Sequence, residues 1–225
     1  MIFFNRERIK NFKPYFFEVI IIFIGITASF YFDEWRKDRE RISLERDYLL
    51  RLDADLGNDI SALQGLTDYS KIQLENCKTA MLAMNGDKEA DTIFSHITGI
   101  YLFEINHYTI TEMQGTGAFY SIEKGQLKTE ILHYYHSSEE LLKVYNLVLE
   151  KNEIMQSELN NHLKLINEKN NFGQFEVSKP IEGNLRLENL IYEKKNFIEF
   201  LLFFSPTLSQ EAESLRATIK NYLEE

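Results

Sequence analysis

The chain has 225 residues, a formal charge of -10 and a single cysteine, Cys77. One cysteine excludes an intramolecular disulfide, so an exported domain would have to be held by its core alone. The acidity disfavours a grip on phosphate backbones, which needs Lys and Arg to neutralise them, and no nucleic-acid partner is expected.

Residues 1–14 form a basic tail, with Arg6, Arg8, Lys10 and Lys13 against Glu7. From Tyr15 to Phe32 the chain is almost wholly apolar. As a helix these residues extend about 27 Å, enough to cross a hydrocarbon core of roughly 30 Å once flanking residues are added. A cleaved leader would carry a shorter apolar centre and small residues at its end. Here bulky Phe30, Tyr31 and Phe32 follow the small Gly25, Thr27, Ala28 and Ser29, so the run is read as a retained anchor. Phe12, Tyr15, Phe16 and Phe17 at one edge, and Phe30, Tyr31, Phe32 and Trp35 at the other, match the aromatic belts of a span. Basic residues flank both ends, Arg36, Lys37, Arg39, Arg41 and Arg46 following the span. The expected orientation places the N-terminus in the cytoplasm and the C-terminal domain in the periplasm, as a single-pass protein of the inner membrane.

Glu18 is a carboxylate one turn inside the span, where insertion is costly. One reading makes it a proton-carrying or helix-pairing group. The other lets it reach water or a basic group near Lys13 and Pro14.

After Trp35 no turn signal occurs before Asn85-Gly86-Asp87. Leu49, Leu52, Leu56, Ile60, Leu63 and Leu66, then Leu74, Cys77, Met81 and Met84, recur three or four residues apart. The membrane helix is therefore expected to run on into a long helix, with Gly57 or Gly65 as places for a bend and Cys77 in the core. A helix is expected over 90–103, with Ile93, Ile97, Ile100 and Tyr101 on its apolar side. Thr109 with Glu112 has the spacing of a capping box, starting a helix that stops at Gly115-Thr-Gly117.

Gln126 restarts helix. Leu141, Tyr145, Val148, Asn152, Met155, Leu159, His162 and Ile166 then step by four and three, a heptad seam with two polar interruptions. The seam fits a coiled-coil hairpin, a bundle contact or a homo-oligomer interface. Asn170 to Gly173 is expected to end this helix and 175–180 to be extended. Leu185 to Phe204 returns to helical spacing, dense in Phe197, Phe200, Phe203 and Phe204, read as core or as a surface that touches lipid or a partner. A last helix is expected to start at Ser205-Pro206, with Leu208, Ala212, Leu215, Ile219 and Tyr222 as one stripe.

Few patterns point to chemistry. His133 and His136 are spaced to share a metal, but a second pair of ligands would have to come from Glu130, His107 or Glu112 through the fold. Gly115-Thr-Gly117 lacks the strand, third glycine and lysine of a phosphate loop. Ser121, Ser137 and Ser138 sit in no nucleophile elbow. No catalytic residue, metal or cofactor is assigned.

The block from Glu18 to Ile26, followed by Trp35 and a dense charged run, resembles the start of a domain-of-unknown-function family of single-pass membrane proteins common in Bacteroidota. The block from Thr111 to Ile122, with Leu127, Ile131, Tyr134 and Tyr135, is similar to that family's second recurrent block. The resemblance implies an anchored α-helical protein and brings no catalytic residues.

The expected fold is all-α: one N-terminal transmembrane helix continuing into a long helix, then a helical bundle or coiled-coil-like domain. Its parts are the basic tail (1–14), the transmembrane helix (15–35) and an acidic extramembrane domain (36–225). The expected function is non-enzymatic, a membrane-anchored interaction or scaffold protein whose partners are membrane lipid and a second copy or another membrane protein. The alternatives are a subunit of an ion-coupled or transport complex using Glu18, and an exported hydrolase.

Overall fold

A computed structural model describes residues 12–86, 93–94, 96–166, 174–177 and 181–224. The chain is helical almost throughout. Helix α1 spans Phe12–Met84 as one unbroken element. Helices α2 (Tyr108–Thr116) and α3 (Ala118–Ser121) are short, and α4 (Gly125–Leu159) and α5 (Leu185–Glu224) are long. Among the described residues the one sheet is an antiparallel pair, β1 (Leu163–Ile166) with β2 (Gln174–Val177), in which Leu163 faces Val177.

The side chains of α1 change character along its length. From Tyr15 to Phe32 nothing is buried, and this stretch is long and apolar enough to cross a membrane. From Glu34 to Leu44 the helix is still exposed but charged, laced by the pairs Arg36–Asp33, Lys37–Asp33, Arg36–Glu40 and Arg41–Asp38. Such i,i+3 and i,i+4 spacings support a solvated helix only weakly. From Leu49 to Ala80 the buried residues step by three and four in strict alternation, and burial continues from Glu45 to Met84 at either end.

Helix α5 packs antiparallel on α1, with Tyr222 facing Glu45, Arg216 facing Asp53 and Lys194 facing Gln73. It also packs antiparallel on α4, where Lys151–Glu193 and Arg186–Glu158 keep one register. Both α4, from Leu127 to Leu159, and α5, from Leu187 to Ile219, bury residues in the same three-and-four steps as α1. A seven-residue apolar repeat keeps one seam facing its neighbours along the whole length.

Between α1 and α4 runs a non-helical segment, 99–107, held from both sides. The described residues of 93–103 are thus not the expected helix: Ile93 and Phe94 make a tight turn, and 99–106 is not helical. Its carbonyls accept from side chains far away in sequence, which replaces the bonds a helix would have made.

Other boundaries differ for local reasons. Helix α1 passes through Gly57 and Gly65 without a break; a methyl group at Gly65 would run into the Tyr101 ring, so glycine there permits close approach. Thr109 does not cap α2, because its hydroxyl donates to Asp55 and Glu112 binds Arg51 and Tyr48. His107 occupies the cap position instead. Gly117, at φ 82°, ends α2 as expected, and Asn85-Gly86 closes α1. Pro206 does not start a helix but lies within α5. It is exposed, with buried Ser205 and Leu208 beside it, so the carbonyl it leaves without an N–H partner lies on the solvent side. Ile166 is in β1 and not on α4, which ends at Leu159 before a turn at Asn161 and His162. Residues 170–173 and 178–180 lie outside the described residues, as do 1–11.

Candidate functional site

Glu18 projects from the exposed surface of the apolar stretch, between Phe17 and Val19. Within this stretch the Thr27 hydroxyl donates to the Phe23 carbonyl at 2.8 Å, which satisfies it without water. Trp35 marks the far edge and is covered by the Arg39 guanidinium, 4.3 Å above its ring.

The predicted seam residues Leu141, Tyr145, Val148, Asn152, Met155 and Leu159 are all buried inside one chain. They meet α5 and the 99–101 segment. The Tyr145 hydroxyl donates to the Tyr101 carbonyl, and Asn152 Nδ2 donates to Gly99 O at 3.3 Å. His162 lies past the helix end, 3.2 Å from Asn184 Nδ2.

The interior is divided. A lower apolar core gathers Leu49 to Leu66, Leu127 to Val148 and Ile198 to Ile219; an upper one gathers Cys77 to Met84, Met155, Leu159 and Leu187 to Ile191. Between them lies a polar layer of Ser70, Gln73, Asn152 and Lys194, all buried. Lys194 has no exposed surface. Its ammonium donates to Gln73 Oε1 at 2.9 Å and to the Ile97 carbonyl. Gln73 Nε2 in turn reaches His96 O at 3.4 Å, and the Tyr69 hydroxyl donates to Gly99 O at 2.5 Å. The layer pins the segment that separates α1 from α4. Burial takes the Lys194 ammonium down to about 8, and the nearby Cys77 thiolate would oppose that shift. Burial likewise pushes the Cys77 thiol up to about 11. A buried thiol of that kind is a core group and a poor nucleophile.

A second polar cluster sits lower, where the segment turns into α2. Asp59 is buried, accepts from Tyr134 Oη at 2.8 Å and from the Asn106 N–H at 3.1 Å, and burial raises its carboxyl above the usual range. Asp55 accepts from Asn106 Nδ2 at 2.9 Å and from Thr109. His107 Nδ1 lies 3.0 Å from the Ile105 carbonyl, which can only accept, so that nitrogen carries the proton. His107 Nε2 then faces Ser138 Oγ at 3.2 Å. This serine and histidine meet without any spacing signal. Ser138 has no exposed surface, and its single hydroxyl hydrogen goes either to Tyr135 O at 2.7 Å or to His107 Nε2, the second of which ties α4 to the segment.

His133 and His136 are both exposed on α4. His133 Nε2 lies 3.9 Å from Glu211 Oε1, and neither His107 nor Glu112 approaches it, being engaged elsewhere. Among the described residues no group of three or more His, Cys, Asp or Glu is placed to hold a metal. An open cleft of about 480 Å³ lies at the end of the domain nearest the apolar stretch, lined by Glu45, Arg46, Glu123, Lys124 and Tyr222 among others. Its charges are mixed, and Tyr222 Oη donates to Glu45 across it at 2.6 Å.

The polar layer was missed in the sequence. The signal was there, since Lys194 stands at the step between Ile191 and Ile198 where the stripe calls for an apolar residue. Asp59 gives no such signal, because Ile60 beside it fills the step between Leu56 and Leu63. No protein-family model, no curated protein and no solved structure matches the chain.

Proposed function

We propose that this is a single-pass membrane protein whose helical domain serves as a non-enzymatic interaction or scaffold module. The observation that supports it is the continuity of α1: one helix carries an exposed apolar stretch, a charged solvated stretch and a buried heptad seam without a break. A domain on such a helix is held at a set height above the bilayer. The heptad burial on α1, α4 and α5 supports a three-helix, coiled-coil-like arrangement, with 99–107 as filler between α1 and α4. The resemblance of the Glu18 to Ile26 block to single-pass proteins agrees with this reading.

Alkaline extraction of membranes tests the anchor. The wild-type chain is expected to stay in the pellet and an Ile22→Arg, Ile24→Arg chain to be released, because two cations at mid-span add roughly 5–7 kcal/mol to insertion. Release of the wild type would sink the reading. Orientation is tested with Gln64→Cys, an exposed site on α1. Labelling by an impermeant maleimide in intact cells supports a periplasmic domain, and labelling only after lysis refutes it.

The exposed position of Glu18 supports a second reading, a subunit of an ion-coupled or transport complex. In that case Glu18→Gln abolishes co-purification of a multi-spanning partner. Unchanged assembly counts against it.

A further inference from the structure

The outer face of α5 carries a neutral aromatic belt in a strongly acidic domain. Removing the tail's four basic and one acidic side chains and Glu18 from the total leaves -12 on residues 33–225. Yet from Phe200 to Gln210, about 16 Å of helix, α5 has no charged side chain. Its outward residues there are Phe200, Phe203, Pro206, Thr207 and Gln210. Phe203 is 74 % exposed, and Phe200 stacks on Phe204 with centroids 5.0 Å apart.

Height decides what can meet this belt. Gln73 faces Lys194 across the antiparallel pair, so Phe203, nine residues on, lies level with Gln64 on α1. That is 32 residues beyond Phe32, or about 48 Å of helix, which removes lipid as an occupant. The heptad seams cannot serve either, since their residues are buried within the chain.

We propose that a second copy of this chain docks on this face, α5 against α5, about an axis normal to the membrane. The inference rests on the membrane anchoring proposed above. Two copies anchored in one bilayer stand parallel and level, so a residue on the axis meets its own counterpart. A charged stripe would then face like charge, and only an uncharged one permits contact. The belt from Phe200 to Gln210 meets that requirement, and the ion pair Lys195–Glu199 at its upper edge is neutral as a unit. The exposed aromatic area is small for a stable dimer in solution. Confinement to one membrane raises the effective concentration, so a modest patch suffices.

The test is oxidative cross-linking of the full chain in its membranes, with Phe203→Cys compared with Gln64→Cys at the same height on α1. Wild-type Cys77 is buried and serves as the silent control. The expected result is a covalent dimer through position 203 and none through 64, with a yield that rises with salt as repulsion is screened. A second chain, Phe200→Asp with Phe203→Asp, is expected to be monomeric by single-molecule photobleaching in bilayers while its helical content is unchanged. Equal cross-linking at both positions, or no cross-link at 203, overturns the proposal. So does an unchanged dimer fraction in the double variant. A chain that stays in the alkaline pellet but is monomeric sinks the pairing alone, whereas a chain that is extracted sinks the anchoring with it.

Discussion

Replacing Lys194 by Met tests whether the polar layer holds a buried charge. In the folded chain burial brings the ammonium from its ordinary 10.5 to about 8. Between those values the unfolded chain binds the proton and the folded chain does not, so stability rises with pH there. The penalty on the buried ammonium is fully present below pH 8, is about 3 kcal/mol, and is relieved in part between pH 7 and pH 9. Cys77 acts in the opposite sense. Its thiol is raised from 9.0 to about 11, so the unfolded chain loses its proton first and stability falls as pH rises. Over the same interval that offsets only part of the Lys194 gain, because the unfolded thiol titrates at its upper end. The wild type is therefore expected to gain about 1 kcal/mol from pH 7 to pH 9, Cys77→Ala to gain more, and Lys194→Met to lose stability. At pH 7 the Met variant leaves the Ile97 carbonyl and Gln73 Oε1 without a donor, at about 1–3 kcal/mol each, which offsets the removed charge. The slope with pH thus discriminates better than the stability itself. Urea unfolding of the full chain in non-ionic detergent, followed by far-ultraviolet circular dichroism, measures it. A Lys194→Met chain whose stability still climbs as the wild type's does would refute the buried-charge account.

Gly65→Ala is expected to lower the melting temperature although alanine gains about 1 kcal/mol in helix propensity, because its methyl group displaces the Tyr101 ring that stacks on Tyr69, at about 1–3 kcal/mol. A rise in melting temperature would show that the ring yields freely. For Asp59, whose carboxyl is raised by burial, the contribution to stability is full below pH 3.8 and is lost as pH rises through the folded value. Asp59→Asn should therefore gain on the wild type as pH rises from 3.8, in paired thermal melts; a constant difference excludes that titration. Arg39→Pro breaks the exposed stretch of α1, at about 3 kcal/mol or more locally. No residue from Glu34 to Leu44 is buried, so domain melting is expected to hold while polarised infrared dichroism in oriented bilayers falls.

What was legible in the sequence was whatever a single helix records about itself. The apolar stretch, the turn at Asn85-Gly86, the end at Gly117 and the α4 seam to Leu159 all depend on neighbours within a few residues. The helix expected over 90–103 rests on the helical spacing of Ile93, Ile97, Ile100 and Tyr101, and the described part from 99 to 103 is not helical. Its conformation is decided by Gln73, Lys194, Tyr69, Asn152 and Tyr145, which hold its carbonyls. Pro206 was read as a boundary on propensity alone, yet the α5 stripe runs through it from Leu201 to Leu208. Lys194 shows in the sequence as a fault in an apolar stripe, whereas Asp59 is hidden by Ile60, which keeps the spacing apolar. Their acceptors and donors come from other elements, so only the fold tells a satisfied group from a misplaced one.

The polar layer also answers a difficulty that the heptad pattern creates. Leu and Ile repeats on α1 and α5 are nearly interchangeable from one heptad to the next, so apolar packing alone discriminates poorly between registers that differ by seven residues, or about 10 Å. In the observed register Lys194 meets Gln73 and the Ile97 carbonyl. A slip of one heptad would place its ammonium opposite Leu66 or Ala80, with no side-chain acceptor, and would separate Arg216 from Asp53, where two hydrogen bonds now join them at 2.8 and 3.3 Å. An unpaired buried charge is worth several kcal/mol, more than the small differences among apolar alternatives. Lys194 thus lowers the stability of the native register but lowers that of its nearest competitors further. Because α1 continues unbroken toward the apolar stretch, the register chosen in the polar layer also sets how far along α1 from that stretch α5 and its aromatic belt stand.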